Sequence, residues 1–390
     1  MTHVTITKAN ELAIEDHGGR PLAIHPLWLR ERSREARVYD AHTAQRLYDP
    51  SDLDLQLTIT ELSEPRPGYY QVRFSDGHAA MFSAQQILAE AAMAACPDDV
   101  PAVQLWDGGF KLPPRTPWTR SPTNAQLAAW LEEFLRLGFI VFTDVPTQPG
   151  TVLEVAAAFG FTRVTNFGAL FDVRSTPQAT DLAYTSLPLD PHTDNPYRNP
   201  VPGVQLLHCL VNETSGGLST LVDGFAAAEY LRAHDAPSFD ELTRTPVQFR
   251  YRDAHTELTA SAPLIELDKG GALRAVHFSP RLDYVPLRAP ADLARFYRAR
   301  RALDRLLRST ERELRFLLDE GDLMMMDNQR LLHGRTGFDP AEGRRHLQGC
   351  YIDIDAPRST YRVLRRGGLP EAPAATPAAS PAATAREAHA

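Results

Sequence analysis

The sequence predicts a mainly β fold with helical insertions, a barrel or sandwich joined to a smaller N-terminal α+β domain. Three observations carry this. The chain has 390 residues, more than one average domain holds. From residue 160 onward, short apolar runs recur between Gly, Pro and Asn, the pattern of β-strands joined by turns. His192 and Asp194 stand two apart in an extended stretch, and His333 follows 141 residues later (333 − 192), so only folding can gather them. A barrel brings the ends of distant strands to one mouth.

Residues 1–96 read as the small domain, with short strands at 4–8, 22–29, 55–62 and 69–74 and a helix from 84 to 95 before Pro97. Residues 97–122, rich in Pro and Asp, read as a linker with an exposed Trp106. Thr123 caps an amphipathic helix reaching Leu137, with Leu127, Trp130, Leu131, Phe134 and Leu135 on one face, and Gly138 ends it. A buried strand at 139–142 and a helix through Ala158 follow. Within the main domain, 123–367, strands are expected at 203–211, 219–222, 246–251, 275–278, 322–326 and 347–354, interrupted by helices at 225–234 and 290–307. Residues 368–390 are nearly all Ala and Pro and bury too little to order, so a disordered tail is expected.

Composition narrows the function. With 43% hydrophobic and 23% charged residues the chain is of ordinary globular type. The net charge of −8, from 49 acidic against 41 basic residues, favours neither nucleic acid nor an anionic membrane. Cys96, Cys209 and Cys350 are scattered and odd in number, which argues against a disulfide framework and for the cytoplasm. No signal peptide or membrane-spanning run is evident, and the glycosylation pattern at Asn212-Glu213-Thr214 is read as chance.

Side chains two apart on an extended segment point to one side, so one ion can take both His192 and Asp194. With His333 as third ligand, two imidazoles and one carboxylate leave one face of an ion open. That is the arrangement of non-haem Fe(II) oxygenases. Arg345, twelve residues beyond His333 (345 − 333), begins an apolar run and can aim a guanidinium fork at the far carboxylate of a dicarboxylate such as 2-oxoglutarate; Arg344 then faces outward. The His-x-Asp triplet alone is more often a surface or turn feature and a lone His before Gly a turn or a core histidine, and a solvated pair is the plainer alternative for Arg344 and Arg345; together they point to a site.

The segments NFGALFDVRS, AYTSLPLDPHTD, PGVQLLHCLVN, GGLSTLVDGF, LLHGR and RRHLQGCYID resemble the γ-butyrobetaine hydroxylase and trimethyllysine dioxygenase branch of the Fe(II)/2-oxoglutarate (TauD/TfdA-like) oxygenases. The resemblance implies a double-stranded β-helix (jelly-roll) catalytic domain, iron on His192, Asp194 and His333, and 2-oxoglutarate on Arg345 with Ser219 or Thr220. It also implies O2 as co-substrate, ascorbate as a candidate stimulant, and a homodimer. That branch holds trimethylammonium groups in an aromatic cage, whose positions fall on Tyr184, Tyr351, Phe167 and Phe171; the plainer reading of all four is core packing.

Three departures from the branch bear on the substrate. Relatives carry zinc-binding cysteines after Trp-Leu-Arg, whereas here Trp28-Leu29-Arg30 leads into Glu31-Arg32-Ser33 and only His78 remains, so no zinc is expected. Asp181 and Ser279 stand where γ-butyrobetaine hydroxylases place amides, and an Asp repels a carboxylate but attracts a quaternary ammonium. Asn195 and Arg198 follow the metal pair, and Arg suits a doubly charged oxyanion. The sequence is similar in these positions to the 2-(trimethylammonio)ethylphosphonate dioxygenases. Hydroxylation of that zwitterion at the carbon next to phosphorus is therefore expected, narrowly ahead of γ-butyrobetaine. A non-catalytic betaine-binding protein and a metal-dependent hydrolase or isomerase on a cupin-type barrel are the rivals from other classes.

Overall fold

The computed structural model describes residues 4–15, 19–95, 100–110, 113–174 and 185–367, with the side chains of 92–95 left out. The chain divides into two compact units, Met1–Asp99 and Val100–Ala390. Tyr184, Asp181, Cys96 and the 368–390 tail lie outside the described residues.

The first unit holds two three-stranded antiparallel sheets, Val4–Ile6, Leu12–Glu15 and Pro21–Ile24, and Ile59–Arg66, Tyr69–Phe74 and Ala79–Ser83. Tyr69–Phe74 alternates exposed and buried residues, the period-2 signature of a strand with one wet face. The expected strand at 22–29 is shorter: Pro26–Arg30 forms a one-turn helix, because Pro at its start pre-sets φ and His25 caps it by accepting from the Leu27 N–H. His78 is buried with both ring nitrogens engaged, Nε2 with Ser33 Oγ at 2.9 Å and Nδ1 with Arg37 at 3.2 Å.

The second unit is built on two sheets. The larger runs Phe171–Arg174, Arg345–Ile352, Val204–Asn212, Leu323–Asp327, Phe139–Thr143, Arg115–Pro117; the smaller runs Leu189–His192, Leu331–Arg335, Ser219–Asp223, Glu313–Phe316. Alternation decides which side chains meet between them. In Leu323–Asp327, Met324 and Met326 join a core shared with Leu221 and Leu331 of the smaller sheet. Leu323 and Met325 face the other way, against Leu127, Trp130, Leu131 and Phe134 of the helix Asn124–Leu137. That helix begins at the expected Thr123, in a capping box with Gln126, and ends at Gly138 with φ 85°.

The outer face of the smaller sheet, through Val222 and Leu332, packs on the helices Gly224–His234, Ala236–Arg244 and Pro290–Leu307. The middle helix and the C-terminal helix Asp355–Arg365 were not expected from the sequence. The first has only nine residues, and the second follows directly on a strand, so neither offers a long separate periodic run.

The expected linker is corrected. Arg115–Pro117 pairs in parallel with Phe139–Thr143, and Trp106 is 6% exposed, its indole N–H donating to the Leu137 carbonyl at 2.8 Å. Proline is tolerated there because the strand lies at a sheet edge. Arg330 is 1% exposed and pairs with Asp223 at 2.7 Å, while also donating to the carbonyls of Arg136 and Gln104. It fixes the start of the strand that carries His333.

Candidate active site

A cleft lined by residues of both sheets lies between them. His192 and His333 are directly opposite each other in the smaller sheet, with ring centroids 4.5 Å apart. Asp194, just past the strand end, brings Oδ1 to 3.5 Å from His192 Nε2 and Oδ2 to 3.8 Å from His333 Nε2. One ligand atom from each residue lies within 4.8 Å of the others, close enough for one ion.

The surroundings prepare these groups. His192 Nδ1 donates to the Asp190 carbonyl at 2.9 Å, which leaves Nε2 with its lone pair facing the cleft. Burial, against the pull of Asp194, pushes His333 down to about 4, so at neutral pH it is the neutral imidazole that a metal requires. Burial opposes ionisation of Asp194, but the two histidines and the Tyr351 hydroxyl outweigh it and hold the carboxyl well below its usual range. Asn328, fully buried, clamps the Asp194 backbone on both sides: its Oδ1 accepts from the Asp194 N–H at 2.7 Å and its Nδ2 donates to the Asp194 carbonyl at 3.0 Å.

The donor set therefore fits Fe(II): two imidazoles and a carboxylate, with no thiolate. The Arg345 environment fits an anion. Arg345 is 8% exposed, donates to the Gly217 carbonyl at 3.1 Å, and leaves Nε buried without a partner. Gly217, at φ 68°, admits the guanidinium because a Cβ there would lie 2.7 Å from Arg345 Nε. Arg344 faces outward, in an exposed pair with Glu213.

Of the remaining expected residues, Ser219, Phe167, Phe171, Tyr351, Asn195 and Ser279 line the cleft. Thr220 does not: period-2 alternation puts it on the other face of its strand, with its hydroxyl against Gly334. Arg198 is not among the residues lining the cleft; its guanidinium donates to Asn166 Oδ1, and its Nε is buried without a partner. Asn195 holds φ 53°, in the left-handed region, directly after Asp194.

Sequence reasoning missed Gln205, Tyr197, Tyr251, Arg281 and Arg335, all of which line the cleft. Tyr197 stacks on Tyr251 at 5.0 Å, and Phe167 meets Tyr251 edge-on at 5.7 Å. Tyr251 comes from the Pro246–Arg252 strand, so its arrival here depends on the path of the insertion. Arg335 carried a signal, since it stands two residues from His333 on the same strand and must point the same way. Burial, with Arg345 alongside, pushes it down to about 10.

The family described as taurine catabolism dioxygenase TauD, TfdA matches residues 111–351. The chain belongs to this family. A gamma-butyrobetaine dioxygenase from Pseudomonas sp. is 36% identical over 358 residues, covering 89% of this chain and 92% of that protein. The mitochondrial trimethyllysine dioxygenase of Gallus gallus is 30% identical over 349 residues, covering 87% and 82%. An asparagine oxygenase solved with Fe(II), 3-hydroxyasparagine and succinate superposes with a TM-score of 0.48 at 18% identity, covering 61% of this chain and 81% of that one. The TauD-family chain is thus an Fe(II)- and 2-oxoglutarate-dependent dioxygenase, with a His-Asp-His cluster as the candidate site for iron. No helix among the described residues is long and apolar enough to cross a membrane.

Proposed function

We propose that this dioxygenase hydroxylates a small trimethylammonium zwitterion, and that its preferred substrate is 2-(trimethylammonio)ethylphosphonate, attacked at the carbon next to phosphorus. The observation that supports this is the lining of one cleft by two chemistries. Phe167, Phe171, Tyr197, Tyr251 and Tyr351 present aromatic surface beside the metal ligands. Asn195 Nδ2 and Ser279 Oγ are buried without partners, and Arg281 joins them in the lining. Ring faces attract a cation that has no hydrogen to donate. An amide, a hydroxyl and a guanidinium suit an anion with three oxygens better than one with two.

In this reading the two sheets form the jelly roll of the family, and His192, Asp194 and His333 hold iron. Arg345, with Ser219 nearby, grips the far carboxylate of 2-oxoglutarate. Bound there, iron and 2-oxoglutarate activate dioxygen for insertion of one oxygen atom into a C–H bond, with release of succinate and CO2. The protein's part is placement: the aromatic walls and the Arg281 group set which carbon stands nearest the iron, and the walls exclude water from it.

γ-Butyrobetaine is the second reading, favoured by the 36% identity to a dioxygenase named for it. Succinate formation with γ-butyrobetaine, trimethyllysine and the ethylphosphonate, measured side by side, decides. The phosphonate should give the highest kcat/KM, and Arg281→Ala should raise its KM more than that of γ-butyrobetaine. Preference for γ-butyrobetaine would transfer the assignment to it, and no turnover with any methylated amine would remove both.

A further inference from the structure

Asp194 Oδ2 accepts two hydrogen bonds, from Gln205 Nε2 at 2.6 Å and from the Tyr351 hydroxyl at 2.7 Å. The two donors are cross-strand partners: Gln205 stands opposite Tyr351 where Val204–Asn212 pairs with Arg345–Ile352. The site is thus made by two such pairs facing each other, His192 with His333 on the smaller sheet and Gln205 with Tyr351 on the larger. Gln205 is 2% exposed and Tyr351 4%, and Tyr351 is stacked on Phe171 with centroids 5.2 Å apart. Neither donor can drift without giving up packing on its own sheet.

We propose that Gln205 and Tyr351 are positioning residues that occupy Oδ2 and thereby make Asp194 a ligand through Oδ1 alone. The count of positions gives this its consequence. Six positions less three protein ligands leave three, two for the chelating atoms of 2-oxoglutarate and one for a further ligand. A carboxylate binding through both oxygens takes one of them. An acceptor already holding two charge-assisted hydrogen bonds is a poor second ligand, since coordination would have to displace at least one of them. Tyr351 therefore has a role in its hydroxyl, distinct from the role proposed for its ring as a wall for the ammonium group.

The test uses Gln205→Leu, Tyr351→Phe and the double variant, loaded with Mn(II) and no co-substrate. Tyr351→Phe keeps the ring and its stack on Phe171 and removes only the hydroxyl. Two readouts are taken, Mn(II) affinity by calorimetry and water-proton relaxivity, which counts waters on the ion. Each single variant should weaken Mn(II) about 10-fold. In the double variant, relaxivity should fall by about a third, as the freed Oδ2 takes the place of one water of three. Wild-type relaxivity and affinity in a folded double variant would overturn the proposal. Loss of affinity with unchanged relaxivity would also overturn it, leaving a purely structural role. If Tyr351→Phe does not fold, Gln205→Leu carries the test alone: with one of the two donors gone it should weaken Mn(II) about 10-fold and lower relaxivity by less than a third, and wild-type values of both in the folded variant would overturn the proposal.

Discussion

Arg345 is buried with a single hydrogen bond and, among the described residues, no carboxylate within ion-pair distance. A charge in that position costs stability until an anion arrives, so replacing it should have opposite effects on the two states of the protein. Arg345→Met keeps the length and apolar stem and removes the charge and the orphaned Nε. In the protein without 2-oxoglutarate, stability should rise by roughly 1 kcal/mol, the lower range for relieving an unsatisfied buried donor. Affinity for 2-oxoglutarate should fall by at least about 2 kcal/mol, the cost of removing one partner of a buried charge pair. That is about a 30-fold rise in Kd at each 2 kcal/mol. Urea unfolding of the co-substrate-free protein and calorimetric titration of the Mn(II)-loaded protein with 2-oxoglutarate measure the two quantities. A variant that is less stable in the free state and still binds 2-oxoglutarate normally would refute the reasoning, because Arg345 would then be a structural residue.

Other expectations follow from the same geometry. Asn328→Ala leaves the buried Asp194 N–H and carbonyl without their partners and should cost roughly 3 kcal/mol of stability; denaturant unfolding that matches wild type would show that another group substitutes. A Cβ at position 349 would sit 2.5 Å from the Phe171 ring, so Gly349→Ala should push that ring off Tyr351. KM for the methylated amine should then rise while that for 2-oxoglutarate stays fixed, and an equal rise in both would count against the aromatic wall. His208 and His333 are both pushed down to about 4 from an ordinary 6.5 by burial. Between these values the unfolded chain binds more protons than the folded one, so the stability they confer, complete above 6.5, is lost as pH falls toward 4. Metal-free protein should unfold at lower urea at pH 5 than at pH 7, and His208→Leu should flatten the trend; an unchanged slope would mean that His208 does not titrate in this window.

The amino-acid sequence by itself determined the candidate metal triad, Arg345 as the candidate anion group and the β-rich class, because these rest on local facts: two candidate ligands at strand spacing, a third before a glycine, an arginine opening an apolar run. It also fixed the helix from Thr123 to Gly138, where a cap, a periodic face and a left-handed stop agree. Tertiary structure alone decided which donors reach Asp194 and which residues wall the cleft. Gln205 reads in sequence as one polar residue within an apolar strand, and only its pairing with Tyr351 aims it at the carboxylate. Arg198 is near Asp194 in sequence yet is not among the residues lining the cleft, whereas Arg281 reaches it from a segment more than eighty residues on (281 − 198 = 83). The physical reason is the same in each case. Alternation along one strand is written in the chain, but which strand faces it across a sheet or a cleft is set by the packing of the whole core.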